Sequence, residues 1–77
     1  MFKKGDKVKL SEVGLQYLYP GEGNVAKRRY AAGIRGEVCS IENRWGGVTI
    51  KRLDTPKHSH NYYHITFLEL IEARGGQ

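Results

Sequence analysis

The residues most able to do chemistry in this chain are cations and aromatics, and they sit in segments with little acid around them. Lys27, Arg28 and Arg29 are consecutive, Arg35 follows shortly after, and no Asp or Glu lies between Asn24 and Arg35. A run of this kind suits neutralisation of phosphates, each contact steepening the salt dependence of binding. A solvated basic loop is the plainer reading of the same residues. Between Arg44 and His60 the bases Arg44, Lys51, Arg52 and Lys57 face only Asp54.

Trp45 lies in Arg44-Trp45-Gly46-Gly47, a turn sequence that gives an indole little core to join. Such a ring is suited to stacking on a base or packing on a protein. The competing reading folds it back over the end of the domain. Tyr62 and Tyr63 must point to opposite sides of a strand, so one joins the core and the other the surface. The expected nucleic-acid contacts are therefore Lys27, Arg28, Arg29, Arg35, Arg44, Trp45, Lys51, Arg52 and Tyr62.

His58, His60 and His64 spell H-x-H-x3-H. On a strand the first two would share a face, and Cys39 could complete a metal site. The spacing fits no common zinc module, so a polar surface is the preferred reading, with no metal and no cofactor expected. No nucleophile elbow, phosphate loop or paired carboxylates appear in a recognisable spacing, and a non-catalytic protein is expected.

The elements that position these residues are short. Asp6–Leu10 alternates, with Val8 and Leu10 on one face, and reads as a first strand with a basic outer side. Ser11 can cap a short helix carrying Val13, Leu15 and Leu18, which Gly14 weakens and Pro20-Gly21 ends. Residues 21–33 show no period and read as a long basic loop. Ile34–Glu42 reads as a second strand with a bulge between Val38 and Ile41. Val48–Leu53 is a third and Ser59–His64 an aromatic fourth; one helical turn over 64–67 then leads to a last strand, Leu68–Ile71. The domain is expected to span residues 1–72, with residues 11–33 inserted after the first strand and 73–77 a frayed tail. Short strands at regular intervals with no second helix imply a closed or nearly closed antiparallel barrel, which leaves few exposed edges.

Lys4-Gly5-Asp6-Lys7-Val8-Lys9-Leu10, followed by Ile34-Arg35-Gly36-Glu37-Val38, resembles the opening two strands of KOW-type SH3-like barrels. Tyr62 to Ile71 looks like the one-turn helix and closing strand of that fold. The resemblance implies a mostly β, five-stranded SH3-like barrel that binds nucleic acid or protein. It departs from a KOW motif in the length of residues 11–33. Asp54-Thr55-Pro56-Lys57 and Tyr63-His64 also loosely fit small phage and prophage SH3-like proteins. Plasmid-encoded type B dihydrofolate reductases are similar in length and fold. Their Val-Gln-Ile-Tyr stretch aligns with His60-Asn61-Tyr62-Tyr63, where only the tyrosine matches, so the resemblance implies no reductase activity.

Bulk properties agree with a binding module. Seventy-seven residues with 39% hydrophobic and 27% charged side chains suit one small globular domain, and the net charge of +5 favours a polyanionic partner. The lone Cys39 fits a reducing cytoplasm. No apolar run approaches the length of a membrane span, and Met1–Gly5 is not followed by the apolar stretch of a secretory leader. The expected partner is nucleic acid, DNA or RNA. The alternative is an acidic protein surface, with the chain a phage-encoded factor docking on a host complex. A weak homo-oligomer stays open under either.

Overall fold

The computed structural model describes residues 2–72. The expected tail, 73–77, lies outside the described residues. Five strands form one antiparallel sheet: β1 (Lys7–Leu10), β2 (Gly36–Glu42), β3 (Gly47–Arg52), β4 (His60–His64) and β5 (Leu68–Glu72). Two short helices, α1 (Glu12–Leu18) and α2 (Val25–Ala31), lie between β1 and β2, and 3-10 turns occupy Glu22–Asn24 and Ile65–Phe67.

β1 follows the alternation of its sequence: Val8 and Leu10 are buried, whereas Lys7 and Lys9 are half-buried. Ahead of it, Gly5 and Asp6 form a turn in which Asp6 accepts from the Lys3 amide at 2.8 Å and the Gly5 amide reaches the Val38 carbonyl. Ser11 caps α1 as its residue type predicts, its Oγ accepting from the Gly14 amide at 3.0 Å. The same hydroxyl donates to the Thr66 carbonyl, so the cap also ties α1 to the second 3-10 turn. Gly14 is buried against that turn, where a β-carbon would lie 2.6 Å from the Phe67 carbonyl oxygen. The glycine that weakens the helix is the one that lets it dock.

The segment expected to be a loop is instead a 3-10 turn followed by α2. Val25 to Ala31 contains Ala, Lys and Arg, all good helix formers, and no Gly or Pro. Only Ala31 of this helix is buried, so no apolar stripe announces it. A helix of seven residues has little stability alone and depends on tertiary ties. Ala31 and Ile34 supply some of these, both joining the core formed with Val8, Leu10, Val38, Val48, Ile50 and Leu68. Leu15, Leu18 and Tyr19 of the α1 region pack against the same core.

The strand order is β4-β3-β2-β1-β5. The two segments resembling a KOW opening do pair, Lys7 with Glu37 and Val8 with Gly36. The β2–β3 register shifts between Val38 and Ser40, within the bulge expected there. Closure of the expected closed or nearly closed barrel is not shown: β4 pairs with β3 and β5 with β1, and among the described residues no strand pairing joins β4 to β5. One three-residue 3-10 turn nevertheless carries the chain from one sheet edge to the other. That short span requires the sheet to curl until the end of β4 and the start of β5 approach. No helix among the described residues is long and apolar enough to cross a membrane.

Candidate nucleic-acid interface

α2 turns the acid-free basic run into a defined surface. Lys27, Arg29 and Tyr30 are exposed, and Tyr30 at 77% is more exposed than Trp45 or Tyr62. Arg28 is half-buried and points elsewhere. Its Nη1 donates to the Tyr19 carbonyl and, at 2.8 Å, to the Gly21 carbonyl. Its guanidinium bridges the end of α1 to α2. Charge-assisted bonds of this kind are among the stronger ones a side chain makes to backbone.

Two further expected contacts also have partners within the protein, although Arg35 stays exposed. Arg35 places Nη1 2.8 Å from the Ala32 carbonyl and 2.9 Å from that of Ile34, serving carbonyls that the end of α2 leaves over. Arg52 forms a forked pair with Asp54, Nε to Oδ1 at 2.7 Å and Nη2 to Oδ2 at 2.6 Å. The hydrogen bond from Arg52 holds the Asp54 carboxyl down to about 2 from an ordinary 3.8, against an opposing effect of burial. The same bond raises the Arg52 guanidinium. The Arg35 amide also donates to Asp54 at 3.2 Å, and the Leu53 amide to the Arg35 carbonyl. Arg52 is therefore paired with Asp54, and it is Asp54, with the Leu53 amide, that ties the end of β3 to the residue before β2.

Between the two helices lies a groove of about 440 Å³, lined by Tyr19, Ala26, Lys27 and Tyr30. Tyr19 is fixed by core packing below, while its carbonyl is held by Arg28. Lys27 and Tyr30 stand one helical turn apart on α2 and so share a side. Neither tyrosine was among the expected contacts. The available signal was the Lys27–Tyr30 spacing, which has meaning only once the segment is known to be helical.

The remaining expected residues gather elsewhere. Arg44 and Trp45 occupy the β2–β3 hairpin tip, with the Arg44 guanidinium carbon 5.9 Å from the Trp45 ring centroid and Trp45 62% exposed. Tyr62 is 60% exposed and lies against Gly47, where its hydroxyl occupies the space a β-carbon would need. Tyr63 is the inward tyrosine, opposite Val48 and packed on the core. Lys51 sits between Glu37 and His60 across the strands, and Glu42 pairs with Gly47 near the tip, so this face mixes both signs of charge. Gly47 and Arg52 mark opposite ends of β3, roughly 17 Å apart at about 3.3 Å per residue. The nine expected contacts thus do not form one patch.

An aromatic stripe at the tip end escaped the sequence reading. Tyr17 of α1 lies 4.9 Å from Phe67 between ring centroids, and Phe67 5.9 Å from His64. His64 Nδ1 accepts from the Thr66 amide and its Nε2 lies beside Gly46, which brings the stripe to the hairpin. His58 precedes β4 in the left-handed region at φ 50°, so it does not share a strand face with His60. The Cys39 thiol donates to the Glu37 carbonyl at 3.7 Å. Among the described residues, no group of three or more His, Cys, Asp or Glu is placed to hold a metal ion.

Together these features define a small antiparallel sheet domain with a basic, aromatic surface on an inserted helix. Compared with protein-family models, curated proteins and solved structures, the chain matches none.

Proposed function

We propose that this chain is a non-catalytic nucleic-acid-binding module that uses the α2 surface as its principal contact. The observation carrying this reading is the acid-free run from Val25 to Gly36, whose first seven residues form α2 with Lys27, Arg29 and Tyr30 exposed. Lys27 and Arg29 neutralise phosphates, and Arg28 supports the site by holding α2 against the end of α1. The net charge of +5 steers a polyanion toward the domain in general, while the clustering selects this side. Kinship with SH3-like barrels remains part of the proposal, supported by the pairing of the Lys7–Val8 and Gly36–Glu37 segments.

Fluorescence anisotropy of a labelled oligonucleotide, titrated at two salt concentrations, tests the reading. Binding at low salt that weakens as salt rises is expected. Removing either Lys27 or Arg29 by alanine substitution is expected to lower the salt slope by about one. Absence of binding at low salt to both single and double strands overturns it.

A second reading, docking on a protein, is favoured by the aromatic end. Val13 at 61%, Tyr17 at 72% and Trp45 at 62% exposure flank the Tyr17–Phe67–His64 stripe, and such anchors are typical of protein contacts. Under this reading the chain is a factor docking on a larger complex, a phage-encoded one among the candidates. Pull-down from nuclease-treated lysate separates the two: a partner that persists only through Val13, Tyr17 and Trp45 favours protein docking.

A further inference from the structure

The groove between α1 and α2 has properties that a phosphate-binding surface alone does not require. It is lined by two tyrosines, Tyr19 half-buried on the core and Tyr30 77% exposed, together with the small side chain of Ala26 and the cation of Lys27. Its roughly 440 Å³ leaves room for a flat heterocycle. The guanidinium of Arg28 bonds the Tyr19 carbonyl from within α2, which ties the backbone of Tyr19 to the helix that carries Tyr30. We infer that this groove receives one unpaired nucleobase, and that the ligand of the domain is therefore single-stranded nucleic acid. The inference rests on the nucleic-acid reading above and specifies its ligand.

Stacking explains the composition. Every base offers an apolar face to a tyrosine ring, and a base inside a duplex is already stacked on its neighbours and has no free face to give. Lys27 at the rim can meet the phosphate attached to the inserted base, as a point charge without sequence preference. Duplex recognition would need different equipment. Reading base edges in a major groove relies chiefly on forked side chains such as arginine. Here Arg28 and Arg52 are half-buried and engaged within the protein, and Arg29 is the exposed arginine of α2. A seven-residue helix is also only about 10 Å long, a short probe for a groove.

The test uses the full chain and one labelled DNA oligonucleotide in three forms: single-stranded, annealed to its complement, and single-stranded with abasic sites along its length. The intact single strand is expected to bind at least tenfold more tightly than the duplex, with the abasic strand falling toward the duplex. Tyr30→Ala is expected to weaken single-strand binding by roughly 5- to 150-fold, the range base–aromatic stacking covers, with duplex binding unchanged. Tyr30→Phe, which keeps the ring, is expected to restore it. Tyr30 is too exposed for its loss to threaten the fold, and circular dichroism of each variant verifies this. Equal affinity for single strand and duplex, or a silent Tyr30→Ala, overturns the single-base groove while leaving the charge-led reading standing. Failure of every form to bind at low salt removes both.

Discussion

At the scale of single residues, the arginines of this protein divide into those that face solvent and those that build the fold. Arg28 spends its guanidinium on two backbone carbonyls, so Arg28→Ala leaves them without a charged donor. A loss of about 1.5–3 kcal/mol is expected in urea denaturation, as for hydrogen bonds to charged groups. Arg29→Ala, one position along on the exposed side, should change stability by less than about 0.5 kcal/mol. Equal losses from the two would show that Arg28 is not a clamp. Asp54 makes a second residue-level prediction. Its folded carboxyl titrates at about 2, below its ordinary 3.8, so the stability it contributes is present above the ordinary value. It disappears as pH falls from about 4 through about 2. Asp54→Asn should flatten the pH dependence of the unfolding midpoint in that window, and an unchanged slope would contradict the Arg52–Asp54 pairing.

The elements are held by contacts that reverse ordinary propensity rules. Within an exposed helix, replacing glycine by alanine stabilises by roughly 1 kcal/mol. At Gly14 the added carbon would meet backbone, 2.6 Å from the Phe67 oxygen and 2.9 Å from its α-carbon, and neither can swing aside. Gly14→Ala should therefore destabilise, by about 1–3 kcal/mol as overpacking does. The sign of the change in thermal midpoint decides whether local propensity or docking against the 3-10 turn governs α1. The same logic explains α2, whose residues favour a helix but whose length does not sustain one. Ala31, Ile34 and the Arg28 clamp provide what seven residues lack. The element bearing the candidate site is thus among the least self-sufficient, as ligand-binding segments often are.

For the molecule as a whole, the open sheet sets a gradient of order. β1, β2 and β3 each have neighbours on both sides, whereas β4 and β5 are edges. Hydrogen exchange should be slowest at buried central positions such as Val8, Val38 and Ile50. It should be fast at Leu70 and Ile71, which are 46% and 48% exposed on β5. Uniform protection across the sheet would argue for a closed barrel. The two candidate surfaces both involve α1: Tyr19 at its end lines the groove, and Tyr17 begins the stripe that reaches the hairpin tip through Phe67 and His64.

Much of the architecture was legible because it rests on local rules. Val8 and Leu10 alternate with lysines, Ser11 has a cap's chemistry, Gly46-Gly47 has a turn's, and the bulge after Val38 shows as a break in the period of two. By itself the sequence determined the five strands and their approximate bounds, α1 and the basic excess, while the exposure of the Trp45 indole, open between two readings, was decided by the fold. Only the tertiary structure decided which bases are free, because Arg28, Arg35 and Arg52 find their acceptors on α1's end, on α2's last turn and on Asp54. It alone ordered residues 21–33, whose helix buries one alanine and so leaves no hydrophobic period to read. The basic cluster where the sequence placed its first chemistry survives as Lys27 and Arg29, joined by Tyr30. What makes that trio a surface is a hydrogen bond from its neighbour Arg28 to a carbonyl nine residues back, a relation no local pattern records.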